Sequence, residues 1–374
     1  MYRLLVFLLL CWCPAAAAQS KSPWLIASTA GPAWPASCPV SLAVVSERGA
    51  DTVSFAVSMS SDGTVVVIAE PVLTGNSDVA RLFAERLGDQ ESLTVPELSL
   101  AELRQLTVHQ PGGTAADGFP GCRIATLAET LDLITLLEKE QQRSIGIVVE
   151  LRKLWLHRAA DLDLGGAVVK LLMAKRPDPG GTAPRTHIAA HDADELRRLH
   201  DQYLTREAPH IGIMQLIDDN DSGQAMRLER GTWLPYNYDW LFTNSGLRSI
   251  SDHVDAIGLA PALLADDRQA ALLDFIGDTR LLGIPLIVSP ADPLLASGQS
   301  SPDEMKARLD RLLTDGTFAG LTTGNYDTVA RLLDLQPPQP SQREQSANPI
   351  EQIIENLELN KAGAARSAEP LLFH

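Results

Sequence analysis

The chain has 374 residues, 45% of them hydrophobic and 21% charged, with a formal net charge of −16. That balance supports a sizeable core and excludes a wholly disordered chain. The acidic excess repels nucleic acid and anionic membrane surfaces, so neither is an expected partner.

Residues 1–18 read as a secretory signal peptide. Arg3 supplies the charged start, Leu4 to Trp12 the apolar run, and Ala15 to Ala18 a small-residue cleavage site. The expected location is therefore periplasmic or secreted. The apolar run is short for a bilayer span, and no later segment reads as transmembrane. Lipid attachment at Cys11 or Cys13 is disfavoured by the bulky Leu10 and Trp12. Beyond the leader, Cys38 and Cys122 remain, either as one disulfide or as two buried free thiols.

From there, apolar and β-branched runs alternate with helical stretches. The runs are Trp24–Ala27, Thr52–Val57, Val65–Ile68, Ile145–Val149, Ile211–Ile217, Val254–Gly258, Ile284–Val288 and Gly320–Thr323. Continuous apolar runs are what buried parallel strands require. Leu127, Leu131, Ile134 and Leu137 fall at helical spacing, as do Met305, Leu309 and Leu312. About eight such units over ~300 residues predict an α/β fold, a (β/α)8 TIM barrel spanning residues 19–335. One connection differs. Thr52–Met59 alternates, Asp62-Gly63 is a turn dipeptide and Thr64–Ile68 follows at once, which predicts a β-hairpin. The stretch from about Gly75 to Gly121, containing Pro111, Gly112 and Gly113, reads as a small insertion after that hairpin with one or two short helices. Residues 336–349 are rich in Pro, Gln and Ser and read as a linker. Ile350, Ile353, Ile354 and Leu357 then form a short apolar stripe. A helix there would dock on its own barrel, fray, or meet a protein partner through residues 350–359.

Recognised catalytic and nucleotide-binding motifs (G-x-S-x-G, H-E-x-x-H, P-loop, G-x-G-x-x-G) do not occur. His157, His187, His191 and His200 lack zinc-ligand spacing and are read as surface or packing residues. Asp218, Asn220, Ser222, Gly223 and Glu229 match the spacing of a calcium loop. The segment follows a strand, and Gly231 denies it a continuous exiting helix, so a polar loop at the barrel mouth is the alternative.

More specific are several ordered segments. They are Gly49-Ala50-Asp51 with Asp62-Gly63, the run Glu150-Leu151-Arg152-Lys153-Leu154-Trp155-Leu156-His157, His191 to Leu196, Tyr236-Asn237-Tyr238-Asp239-Trp240, and Asp255 to Gly258. In that order they resemble the glycerophosphodiester phosphodiesterase family, periplasmic type, from about Ile26 to Leu333. The resemblance implies a TIM barrel that hydrolyses glycerophosphodiesters, with a calcium or magnesium ion among carboxylates and two histidines on the phosphate. Metal and cationic side chains stabilise the growing charge, and a histidine moves the proton to the leaving alkoxide.

At the positions the resemblance assigns to that chemistry, this sequence departs from the pattern. The first catalytic histidine and its arginine correspond to Ser28 and Thr29, and a following acidic position to Ala36. The two metal carboxylates of the second strand correspond to Ser54 and Ala56. The second histidine and its aspartate correspond to Ala69 and Glu70. A later strand ends in Ser289 in place of histidine, and Thr323-Gly324-Asn325-Tyr326 lacks the expected carboxylate. No histidine precedes His109, so no shift of register restores the pair. What survives is Glu150 with Arg152 in place of lysine; Glu70 and Trp155 complete a pocket remnant. One carboxylate cannot cage a catalytic divalent ion, and serine cannot shuttle a proton as histidine does. The expectation is therefore a pseudoenzyme that binds a small anionic or polyol ligand or a partner, with no metal or cofactor. The alternatives are an active hydrolase with a rearranged site drawing on Glu70, Glu150 or His109, and a non-enzymatic envelope protein.

Overall fold

The short β-branched runs close on themselves because each is apolar on both faces, one for the barrel interior and one for a surrounding helix. A computed structural model describes residues 23–29, 38–108, 123–177, 185–264, 269–295, 301–313 and 316–335. The strands among them are β1 (Trp24–Ser28), β2 (Thr52–Met59), β3 (Val65–Val67), β4 (Ala125–Thr126), β5 (Gly146–Leu151), β6 (Thr186–Ala190), β7 (Ile211–Ile217), β8 (Met226–Glu229), β9 (Thr232–Pro235), β10 (Ala256–Leu259), β11 (Leu286–Val288) and β12 (Gly320–Thr323).

Eight of these pair in parallel in the order β1-β12-β11-β10-β7-β6-β5-β2, and β2 returns to β1 to close the barrel. The closing register sets Ile26 beside Thr52 and Ser28 beside Ser54. On the other side of β1, Trp24 pairs with Gly320. A Cβ at Gly320 would run into the Trp24 carbonyl, so this seam closes only over a bare Cα.

The expected hairpin is present. β2 and β3 are antiparallel, with Val57 opposite Val67, and Gly63 takes a positive φ of 81° in the turn between them. β4 adds to β3, also antiparallel. The insertion carries more structure than one or two helices. Its described part has short helices at Val79–Leu82, Ala84–Leu87 and Leu100–Leu103 and a 3-10 turn at Val95–Glu97. Capping boxes tie the last two: Thr94 with Glu97 and Ser99 with Glu102. These turns bury Leu73, Leu93, Leu98, Leu103 and Leu106 against Val66 and Ile68 as a small core of their own.

The main core lies between the strands and the outer helices. The helix Leu127–Gln141 shows how it forms. Thr126 caps it, accepting from the Glu129 amide while Glu129 reaches back. Its apolar stripe of Leu127, Leu131, Ile134 and Leu137 is at most 1% exposed, and each such side chain contributes roughly 1.5–3 kcal/mol on burial. A separate, smaller cluster fills the barrel itself: Ile26, Val148, Ala189, Met214, Leu216, Ala256 and Ile287, with Trp24 against it.

Four strands escape the periodicity: the two-residue β4, and β6, β8 and β9. β6, Thr-His-Ile-Ala-Ala, is fully buried but lacks a β-branched run. β8 and β9 form a separate two-stranded sheet, β8 at the end of the segment matched to a calcium loop and β9 just after it. Cys38 is disulfide-bonded; Cys122, the other cysteine considered, lies outside the described residues, as do His109, Ala36 and residues 350–359. Among the described residues no helix is long and apolar enough to cross a membrane.

Candidate functional site

Alternation along each strand identifies the inward side chains. Ile26, Val148, Ala189, Leu216 and Ile287 face the interior, so residues two further on face the same way at the C-terminal mouth. Those residues are Ser28, Glu150, His191, Asp218 and Ser289. On β2, Thr52 faces in beside Ile26, and Ser54 and Ala56 follow it. Thus Ser28, Ser54, Ala56 and Ser289, the strand positions named from the resemblance, lie toward the C-terminal mouth. Ser54 pairs with Val148 and Ala56 with Glu150 across the β2–β5 ladder. Thr29 is buried, and its amide donates to the Ser54 carbonyl. The C-terminal mouth is where barrels of this kind bind ligands.

The remnant is a joined pair. The Arg152 guanidinium takes both oxygens of Glu150, from Nε to Oε1 at 2.7 Å and from the second terminal nitrogen to Oε2 at 3.2 Å. Its other terminal nitrogen donates to the Ala69 carbonyl at 2.7 Å. Ala69, where the resemblance places a catalytic imidazole, therefore contributes a backbone acceptor. Next to it Lys153 Nζ meets Glu70 Oε1 at 2.6 Å. Burial opposes the charge on Glu150, but Arg152 outweighs it and holds the carboxyl below its usual range. Burial likewise opposes the charge on Arg152, and Glu150, Glu70 and Asp218 raise its pKa regardless.

Sequence reasoning missed three members of this group. Lys153 stands in a left-handed conformation, φ 44°, and so turns back toward Glu70. Asp218 had been read as part of a calcium pattern. His191, which the sequence places among packing or surface histidines, is half-buried, and its Nδ1 is buried with no hydrogen-bond partner. Burial lowers its pKa, against the pull of Glu150 and Asp218. The signal that would have found it is its place two residues beyond a strand-interior alanine, and β6 had not been identified. His157 and His187 are core residues. His157 Nε2 meets Ser58 Oγ at 2.7 Å and accepts from the Met59 amide at 3.0 Å. His187 lies against Trp24, with ring centroids 5.0 Å apart.

Trp155 does not line the remnant. Its indole donates to the Gly223 carbonyl at 3.2 Å, and its ring lies 5.8 Å from that of Trp233 on β9. It braces the β8–β9 hairpin at the rim. Residues of the calcium spacing are engaged within the chain. Asn220 accepts from the Tyr238 amide and donates to Asp239, and Glu229 is paired with Thr232 across the hairpin. A depression of about 550 Å³ lies on the flank, lined by Leu154, Arg158, Asp163, Asp194, Glu195 and Arg198. Glu195 there is held by both arginines.

The divalent cation implied by the resemblance does not fit the residues present. Ser28, Ser54 and Ala56 offer no carboxylate, and both oxygens of Glu150 are engaged by Arg152. Among the described residues no group of three or more His, Cys, Asp or Glu could hold a metal ion.

The family described as "Glycerophosphoryl diester phosphodiesterase family" matches residues 40–275. The chain is 26% identical over 224 residues to a glycerophosphodiester phosphodiesterase of Treponema pallidum (strain Nichols), covering 56% of this chain and 62% of that protein. It is 25% identical over 226 residues to one of Haemophilus influenzae, covering 57% and 62%. The match thus spans about 62% of the length of these curated relatives. Among solved structures, the fold is similar to an Oleispira antarctica phosphodiesterase in complex with the product sn-glycerol-3-phosphate. The TM-score is 0.55 at 14% identity, covering 83% of this chain and 97% of that one. A glycerophosphoryl diester phosphodiesterase from Parabacteroides distasonis gives a TM-score of 0.52 at 13% identity, covering 87% and 91%. These two likenesses carry the fold, and the matched span of residues carries the family: the chain belongs to the glycerophosphoryl diester phosphodiesterase family.

Proposed function

We propose that this protein is a family barrel that has exchanged cation-dependent hydrolysis for binding of a glycerol- or glycerophosphate-type ligand at its mouth. The observation that carries this reading is the bidentate Arg152–Glu150 pair. A guanidinium now neutralises the carboxylate that a cation would need, and it does so from within the chain. Around the pair, acceptors (Glu150, Glu70, Asp218) alternate with donors (Arg152, Lys153). Hydroxyl groups both donate and accept, so a polyol is matched to such a surface better than a bare anion is. The leader read at residues 1–18 extends the proposal to a protein working outside the cytoplasm.

The test is calorimetric titration of sn-glycerol 3-phosphate and glycerophosphocholine in EDTA. The expected result is binding without metal, weakened at least tenfold by Arg152→Met. A second reading, retained hydrolysis, is favoured by the half-buried His191 beside Glu150 and Asp218. Turnover of glycerophosphocholine with calcium or magnesium, abolished by Glu150→Gln, would establish it and overturn the first.

A further inference from the structure

The β8–β9 hairpin is built as a wedge. It leaves the barrel after β7, at the mouth, and returns at Tyr236. Its base is rigid. Trp155 holds Gly223 and packs on Trp233, the Tyr236 amide donates to the Ala225 carbonyl at 3.2 Å, and Tyr236 and Tyr238 pack with ring centroids 5.0 Å apart. Among the described residues its outer part is largely open: Trp233 packs on Trp155, while Leu228 beside it and Leu234 on the other face stay exposed. The register sets Leu228 opposite Trp233 and Arg227 opposite Leu234, so Leu228 and Leu234 point to opposite sides. Leu228 is 55% exposed and Leu234 42%. A two-stranded hairpin in water ordinarily hides one apolar face, and this one shows leucine on both. The tip turns at Arg230 and Gly231, with φ 51° and 83°, and Arg227 and Arg230 are both exposed there. Trp240, 37% exposed, stands five residues beyond the hairpin in a 3-10 turn at Asp239–Phe242.

We propose that this hairpin docks the barrel mouth onto a zwitterionic phospholipid surface. Leucines on both faces suit a strand pair inserted into an apolar layer, and tryptophan suits the boundary between that layer and water. Arg230 is placed to pair with the lipid phosphates, the complementary charge at that depth, and Arg227, 3.9 Å from Glu229 Oε1, can turn to them from that loose exposed pair. The net charge of −16 selects against an anionic bilayer, so the surface is zwitterionic. Docked this way, the mouth faces the headgroup layer. From the proposed function the inference takes only that the mouth is the binding end.

The experiment is flotation of the full chain with phosphatidylcholine vesicles, without added glycerophosphate, and with tryptophan emission read in parallel. The wild type is expected to float, with emission shifted to the blue. Leu228→Asp with Leu234→Asp lowers the bound fraction at least tenfold at unchanged melting temperature. Leu281→Asp, which removes an 86% exposed leucine away from the hairpin, leaves flotation unchanged. A wild type that stays unbound, or a hairpin variant that floats like it, overturns the inference. So does a wild-type dimer, dissolved by the hairpin substitutions, that does not float. Because no pocket ligand is present, failure here leaves the proposed function standing, and loss of glycerophosphate binding leaves this result standing.

Discussion

Arg152 and Glu150 face solvent only in part, with side chains 30% and 18% exposed, so the loss of either leaves its partner poorly hydrated. Arg152→Met strands the carboxylate and is expected to cost roughly 1–3 kcal/mol. The same substitution on a Glu150→Gln background should cost clearly less, because no charge is then left behind. Urea midpoints of the two single variants and the double variant measure the coupling; an additive pair would mean that the ion pair is solvated. At this scale the sequence was informative where a strand carried its own signature. Ser28, Ser54 and Ala56 stand on inner faces, as counting along β1 and β2 from the flanking motifs required. It was uninformative where the role depends on the backbone. Ala69 acts through its carbonyl and Lys153 through a left-handed turn, and neither shows in residue type.

Among the elements, the long apolar strands and amphipathic helices were legible because burial writes itself into side-chain period. β6 was not, since its Thr-His-Ile-Ala-Ala is buried by the strands on either side and not by its own composition. β8 was hidden by a motif match, since polar spacing suited to an ion also suits a solvated hairpin, and the short exposed β9 carries no apolar run. Two glycines separate packing from propensity. A Cβ at Gly320 meets the Trp24 carbonyl, and backbone cannot yield as a side-chain tip can. Gly320→Ala is therefore expected to destabilise the β1–β12 seam by about 3 kcal/mol, the upper part of the overpacking range. Gly277, within the helix Gln269–Leu282, has open space around its Cα. Gly277→Ala should stabilise by about 0.5–1 kcal/mol through helix propensity alone. Thermal unfolding of both variants checks the contrast; equal and small shifts would mean that the seam relaxes freely.

For the whole molecule, a barrel was legible from the alternation of apolar runs with helices, although the runs included the hairpin strand β3 and omitted β6; the polarity within it was not legible. Among the described residues the fold buries His157, His187 and His253 and half-buries His191. His187 lies in the barrel interior against Trp24, His157 is locked to Ser58 and Met59, and His191 is at the mouth. Burial depresses His157 and His187 to about 4, and it lowers His191 and His253 against the pull of neighbouring carboxylates. Each is neutral in the folded state near pH 7, where the unfolded chain is neutral as well, so stability there carries no penalty. Between the unfolded value of about 6.5 and the folded value of about 4, only the unfolded chain takes up the proton. Stability therefore rises with pH across that window and is lost as pH falls through it. His157 and His187 each cost about 2 kcal/mol by pH 5 on this basis. The carboxyl of Glu150, held below its usual range, adds its loss only further down, as pH falls below about 4.5. The expected result is a melting temperature that drops steadily from pH 7 to pH 5 at fixed ionic strength, before most carboxylates titrate. A flat profile over that interval would show that the histidines reach water in the folded protein. A drop confined to below pH 4.5 would assign acid sensitivity to the carboxylate pairs instead.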